Sequence, residues 1–299
     1  MDFIPFWVLV SITTHLNPDQ LNNLFLIIML SQSIIGCESH SSPDKIMPTS
    51  KTAAKPPVNQ VTIYDSSIRT VHVFVALCDN KYQGIVPVPA AIGNGQDPNS
   101  NLYWGCSAGI RTYFKNSKEW TLVKRYKLDK VRLERLIFKH TTRKFYLVAD
   151  AYDGQYIKQC TIDFLKSCSG QVKDTLHING ATIGINGNGK LIAYIGHDGL
   201  MDFSLQERFQ NTDSLKRDAI ILACKSKKFF TPHLAPTRTN PLVWTTGLMC
   251  PEAYTLHDAL TGYIQNEPVE SIRSKAAKAY AKYQQCGEKA ARNLLVTGY

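Results

Sequence analysis

The chain of 299 residues is 44% hydrophobic and 10% aromatic, which is enough apolar material for one substantial core or at most two small ones. Only 19% of the residues are charged, so a disordered chain or a coiled coil is excluded as the main organisation. The formal net charge is +10, yet no compact nucleic-acid-binding motif accompanies it; we expect no nucleic-acid partner and relate the charge to anionic lipid headgroups or to solubility.

The N-terminal region contains two apolar runs, at residues 3–12 and 24–35, and the first 44 residues hold no Lys or Arg. Neither run reaches the ~20 residues of a bilayer span. The second run leads into the order Ile-Ile-Gly-Cys at Cys37, followed by a polar segment. This ending resembles a bacterial lipoprotein signal, which implies lipidation of Cys37 and export as a membrane-anchored lipoprotein, in the periplasm or on the cell surface. An ordinary signal peptide or a membrane anchor is the alternative.

Residues 37–60 are rich in Ser, Pro, Thr and Lys and show no apolar period, which is typical of a flexible tether. Strand-like patterning begins near Val61. The expected organisation is therefore a lipoprotein-type signal segment at 1–36, a tether at 37–60 and a single α/β domain with C-terminal helices at 61–299.

Within the expected domain, short apolar runs alternate with segments of helical pattern. Strands are predicted at 71–77, 144–149, 191–196, 219–223 and 242–248. Helices are predicted up to about residue 114 and at 155–166, 200–211, 253–265 and 269–295. This alternation predicts an α/β fold with a mostly parallel sheet and helices on both faces, a three-layer sandwich.

Two of these predicted strands end in residues that carry chemistry. The run at 191–196 leads directly into His197, and the run at 219–223 leads into Cys224. The carboxyl ends of parallel strands are where open α/β sheets place ligands and reactive groups. Because a free thiol has a pKa near roughly 8.5, a neighbouring imidazole helps to activate it as a nucleophile. We therefore expect His197 and Cys224 to lie side by side.

A strand ending in His, followed by a strand ending in Ala-Cys, resembles the caspase-like (clan CD, caspase–hemoglobinase fold) cysteine peptidases. The resemblance implies a hydrolase that cleaves peptide or protein substrates without a cofactor. Cys224 is then the nucleophile and His197 transfers the proton to the leaving amine. The resemblance covers about residues 71–249 of this chain.

The same resemblance indicates further site residues. The family usually has Gly directly after its His, whereas Asp198 lies between His197 and Gly199 here. The oxyanion is expected on the Cys224 amide, with Gly199 or Asp198 as the second donor. Asp198 and Ser226 are expected to contact substrate, although Asp198 and Asp202 alternatively orient the His197 ring or cap the following helix.

Two other functions remain open from the sequence. One is a caspase-like domain that only binds a partner at the cell surface. The other is papain-like or amidase chemistry, with Cys106 at a helix start as nucleophile and His177 or His197 as the later base.

No cofactor or metal is expected. Residues 184–190 match the G-x-x-x-x-G-K pattern of phosphate loops, but Leu191 follows and opens a strand, whereas a phosphate loop needs Ser or Thr and then a helix. The eight cysteines show no zinc-ligand spacing.

Overall fold

The computed structural model describes residues 63–299, so the predicted signal segment and tether, with Cys37, lie outside the described residues. The strands are β1 (Arg69–Ala76), β2 (Trp120–Lys127), β3 (Arg132–His140), β4 (Phe145–Tyr152), β5 (Lys173–Ile178), β6 (Ala181–Asn186), β7 (Leu191–Ile195), β8 (Asp218–Leu222), β9 (Asn240–Thr245) and β10 (Leu295–Val296). The helices are α1 (Ile110–Asn116), α2 (Ile157–Ser169), α3 (Ser226–Leu234), α4 (Ala253–Ile264), α5 (Val269–Gln284) and α6 (Glu288–Leu294).

One large sheet organises this region, in the order β10-β9-β8-β7-β1-β4-β3-β2. Its centre, β9-β8-β7-β1-β4, is parallel, and antiparallel strands complete both edges. All five residues of β7 are buried, as expected for a strand covered on both faces. The predicted α/β class with a mostly parallel sheet is therefore confirmed.

Helices cover both faces of the sheet. Successive strand residues point to opposite faces, and in β1 Val73 packs with the cluster formed by α1, α4 and α5. Its neighbour Phe74 packs with α2 and α3. The β5–β6 hairpin packs against Val148 of β4, which lies on the second face because the adjacent Leu147 belongs to the first cluster. No helix within residues 63–299 combines the length and apolarity that a membrane span requires.

The predicted helix at 200–211 is wrong. A single 3₁₀ turn, Gly199–Met201, follows β7, and the chain then runs without helix or strand to β8. Leu205 and Phe209 are spaced four apart and buried, which mimics a helix, but they insert into the α2–α3 side of the core. The backbone of this segment bonds elsewhere, for example from the Thr212 N–H to the Ser169 carbonyl at 2.9 Å.

Three other element predictions need correction. The helix predicted at 269–295 is two helices, because Gln285, with a φ of 51°, adopts the left-handed conformation that ends the first helix, and Gly287, with a φ of 78°, precedes the second. The helix before residue 114 begins only at Ile110. Residues 118–140, for which no element was predicted, contain the whole β2–β3 hairpin; its many cations mask the strand pattern.

Candidate active site

His197 and Cys224 follow two strands that are neighbours in the sheet. Strands β7 and β8 are parallel, with Ile195 opposite Leu222 as their last pair. The Gly196 N–H continues the contact by donating to the Leu222 carbonyl at 3.3 Å. His197 and Cys224 each lie two positions beyond that last pair, so both reach the carboxyl edge of the sheet at the same level.

Gly196 makes this path possible for the chain. Its φ is 143°, a conformation that residues with a side chain rarely adopt. A Cβ atom at this position would lie 2.6 Å from the Ala76 carbonyl oxygen of β1. Glycine therefore lets the end of β7 pass close to β1 and turn into His197.

The His197 side chain is held by a carboxylate. It is 6% exposed, and its Nε2 lies 2.7 Å from Asp202 Oδ2. The same Oδ2 accepts the Gly84 N–H at 2.9 Å, which ties the loop after β1 to the His197 side of the sheet edge. With Nε2 donating to Asp202, Nδ1 is the basic nitrogen of the ring. No other residue within 63–299 forms a hydrogen bond with Nδ1.

The Cys224 thiol is half-buried and contacts backbone. Its sulfur accepts the Met249 N–H at 3.4 Å and lies 3.5 Å from the Met249 carbonyl oxygen. Burial raises the pKa of Cys224; the Met249 amide opposes this shift, and the charge of Asp198 adds to it. The resting thiol is therefore protonated at neutral pH. Within the described residues, no hydrogen bond joins the Cys224 sulfur to the His197 ring.

Asp198 is enclosed beside the two residues. It is 0% exposed, and its Oδ1 accepts the Leu200 N–H at 3.1 Å, which caps the 3₁₀ turn. Its Oδ2 is buried and has no hydrogen-bond partner in the described part of the chain. Burial raises the pKa of Asp198 to about 7; the Leu200 amide opposes the shift and the Asp202 charge adds to it. Asp198 thus bears on Cys224 through its charge, from a position closed to solvent.

The remaining expected site residues differ in their surroundings. The N–H groups of Gly199 and Cys224 donate to no acceptor among residues 63–299, so both are available to an oxyanion. Ser226 is fully buried, and its hydroxyl bonds the Ile221 carbonyl at 3.0 Å and the Thr245 hydroxyl at 3.0 Å. These bonds give Ser226 a structural role at the start of α3, with no open side for a substrate.

Cys106 lies four residues ahead of α1, not at the start of the helix. Its thiol donates to the Ser100 carbonyl at 3.1 Å, and burial, with the Glu252 charge, raises its pKa. His177 is on the β5–β6 hairpin, on the opposite face of the sheet from α1. No helix N-terminus and no His177 ring therefore activates Cys106.

One polar group at the sheet edge was not predicted. Asp79 and Asp153 follow β1 and β4, and Gln96 Nε2 donates to Asp79 Oδ2 at 2.7 Å and to Asp153 Oδ1 at 2.6 Å. The two aspartates stand directly after apolar runs, a signal that the sequence carries. Gln96 lies in an irregular loop and leaves no such signal.

Two cavities lie away from the strand ends of β7 and β8. The larger, of about 560 Å³, is lined by residues such as Phe74, Asp150 and Asp163; the second, of about 310 Å³, by residues such as Tyr64 and Tyr263. Within residues 63–299, no group of three or more His, Cys, Asp or Glu side chains is placed to hold a metal ion.

No protein-family model matches the chain, and comparison with curated proteins and with solved structures gives no significant match. What the fold and site define is an α/β protein with a parallel sheet core. It carries a carboxylate-held His and a Cys at neighbouring strand ends. Any function must be argued from these side chains.

Proposed function

We propose that this chain is a caspase-like cysteine endopeptidase, exported and tethered to a membrane through a lipid on Cys37. Cys224 is the nucleophile and His197 the group that transfers protons. One observation carries the proposal: His197 and Cys224 stand at the same level beyond the last pair of the parallel strands β7 and β8. This is the chain order and strand placement that the caspase-like resemblance requires.

The hydrogen bond between His197 and Asp202 supports the role of the imidazole. An Nε2–H that donates to a carboxylate fixes the tautomer, which leaves Nδ1 to accept a proton. Asp202 also stabilises the imidazolium that forms when Nδ1 takes the proton. Asp202 acts through His197, so it is a positioning residue.

The raised pKa of Cys224 decides the order of events. Because the thiol is protonated at rest, Nδ1 takes its proton as the sulfur attacks the scissile carbonyl carbon. The carbonyl π electrons move to the oxygen, for which the N–H groups of Cys224 and Gly199, neither of which donates to another acceptor among residues 63–299, are the proposed donors. The His197 Nδ1–H then protonates the leaving amine, and water hydrolyses the thioester that remains on Cys224.

The charge of Asp198 works against the thiolate. Its ionised form raises the pKa of Cys224, whereas its protonated form does not. The pKa of Asp198, about 7, means that both forms are populated near neutral pH. Because Asp198 is enclosed, its contribution to the proposed site is electrostatic and not a direct contact with substrate.

The proposal is tested by incubating the full-length chain with a peptide library and identifying cleavage products by mass spectrometry. Wild type and Cys286→Ala, which removes an exposed thiol, are expected to give the same products. Cys224→Ala is expected to give none. Cleavage that survives in Cys224→Ala but disappears in Cys106→Ala would move the nucleophile to Cys106. Absence of any cleavage in the wild type would favour a binding-only domain.

A further inference from the structure

The Cys224 sulfur lies against the chain segment that carries a second thiol. Both the N–H and the carbonyl oxygen of Met249 contact this sulfur, at 3.4 Å and 3.5 Å. Cys250 is the next residue, and in a trans peptide its Cα is held close to the Met249 oxygen, which brings the Cα to within roughly 6 Å of the Cys224 sulfur. A disulfide needs the two Cβ atoms about 3.5–4.5 Å apart, so rotation of the Cys250 side chain toward Cys224, with adjustment of the Met249–Cys250 backbone, is the movement that the bond requires.

The two thiols also share their surroundings. Burial, the Glu252 charge and then the Cys224 charge raise the pKa of Cys250 to about 12. Burial raises the pKa of Tyr103 and of Tyr280, and the charges of both cysteines add to each shift. Tyr280 Oη also accepts the Cys250 N–H at 3.2 Å. Both thiols therefore lie near the same two tyrosine side chains.

Access and backbone freedom permit a bond between them. Cys224 and Cys250 are both half-buried, in contrast to Cys78, Cys160 and Cys168, which are buried. Residues 246–252, between β9 and α4, form neither helix nor strand, so this segment can adjust without breaking a regular element.

We propose that Cys224 and Cys250 are a modification site that forms a reversible disulfide when a low-molecular-weight disulfide is the oxidant. The Cys224 thiolate attacks one sulfur of the oxidant, the oxidant's S–S bond breaks, and one thiolate leaves. The Cys250 thiolate then attacks the Cys224 sulfur and expels the second thiolate. Two protein thiols lose two protons and two electrons, and one oxidant disulfide becomes two thiols.

The chemistry gives Cys224 the first step. Of the two pKa values, that of Cys250 is raised the further, so Cys224 has the larger thiolate fraction at any pH and Cys250 resolves the mixed disulfide. Formation of this bond does not depend on peptidase activity. Its effect on catalysis does rest on the proposed function, because the bond consumes the proposed nucleophile.

The test treats the reduced full-length chain with oxidised glutathione, digests it without reduction and maps the cross-linked peptides by mass spectrometry. The expected product links the peptides of Cys224 and Cys250 in the wild type, and dithiothreitol removes the link. Cys286→Ser is the matched control, because the Cys286 charge also contributes to the raised pKa of Tyr280. This variant retains Cys224 and Cys250 and should give the same link. Cys250→Ser should instead accumulate glutathione on Cys224.

A wild-type map that contains only glutathione adducts, or a Cys250–Cys286 link, would overturn the proposal. The peptide map of the wild type needs no variant, so misfolding of a substituted chain does not affect this result. A link in a chain that cleaves no peptide would leave the modification site standing and remove the peptidase. Peptide cleavage that is unaffected by oxidised glutathione, with no Cys224–Cys250 link formed, would remove the modification site and leave the peptidase standing.

Discussion

His197 Nε2 lies 2.7 Å from Asp202 Oδ2, and the same oxygen accepts the Gly84 N–H at 2.9 Å. One carboxylate thus joins His197, two residues beyond the end of β7, to the loop after β1. The contact spans 118 residues of sequence between Gly84 and Asp202. It fixes which nitrogen of His197 is free to exchange a proton.

Asp202→Asn is expected to lower kcat for peptide cleavage by roughly 100-fold, because an amide neither fixes the tautomer nor stabilises an imidazolium. KM should change little, since Asp202 acts through His197. The comparison is steady-state kinetics against Asp258→Asn, which alters a His–Asp contact of 2.9 Å at His257, outside the site. An equal loss in both variants would mean that the Asp202 effect is not specific to the site.

Asp198 makes stability depend on pH. Its folded pKa, about 7, lies above its ordinary value of 3.8, so the folded chain holds a proton that the unfolded chain has lost between these two values. The free energy of unfolding therefore falls as pH rises from about 4 to about 7, by on the order of a few kcal/mol. Asp198→Asn should flatten this fall in urea unfolding measured across that range. A slope retained in the variant would assign it to another group.

The buried ion pair of Arg135 and Asp150 is expected to contribute more to the free energy of unfolding than an exposed ion pair does. Both side chains are buried, and Arg135 Nε lies 2.5 Å from Asp150 Oδ1. Burial acts to raise the pKa of Asp150, but the bonds from Arg135 and His72 hold it well below its usual range. Arg135→Met removes the guanidinium partner and leaves this buried carboxylate with its His72 contact alone, which should lower the free energy of unfolding by about 3–5 kcal/mol.

The matched control for that pair is Arg132→Met. Arg132 lies 2.8 Å from Asp129, but both side chains are exposed. Its loss should cost at most about 1 kcal/mol in the same urea titration. If the two variants lose the same stability, the buried pair has no special weight.

Cys37 is expected to carry the lipid anchor. Metabolic labelling with a fatty-acid probe should mark the wild type and Cys286→Ser, which removes an exposed thiol, but not Cys37→Ser. The cell fraction that contains the protein should change from membrane to soluble in the same variant. Labelling that persists in Cys37→Ser would contradict the lipoprotein hypothesis.

The sequence predicted the parallel core because buried strands leave continuous apolar runs. Residues 191–196 and 219–223 show such runs, and β7 and β8 occupy them within one residue at each end. The segment after β7 misled the prediction, since Leu205 and Phe209 have helical spacing, while the N–H groups of Asn211 and Thr212 further along it donate to carbonyls of distant segments. Spacing reports which side chains are buried, not where the backbone hydrogen bonds go.

The site was accessible to sequence reasoning only in part. Alternation of strands and helices places His197 and Cys224 at neighbouring strand ends, and that follows from local pattern. The bond from Gly84 to Asp202 and the enclosure of Asp198 depend on tertiary contacts that leave no local signature. The burial that raises the pKa of Cys224 also depends on tertiary contacts and leaves no local signature in the sequence.

Whether Cys224 is a nucleophile primed by His197 is tested by treating the full-length chain with a library of peptidyl acyloxymethyl ketones and locating the covalent label by mass spectrometry. These probes need a nucleophile that is aligned with a bound peptide. Cys224 should carry the label in the wild type, and the rate of labelling should fall at least 10-fold in His197→Ala. A label on Cys106, or a Cys224 label formed equally fast without His197, would contradict this role of Cys224.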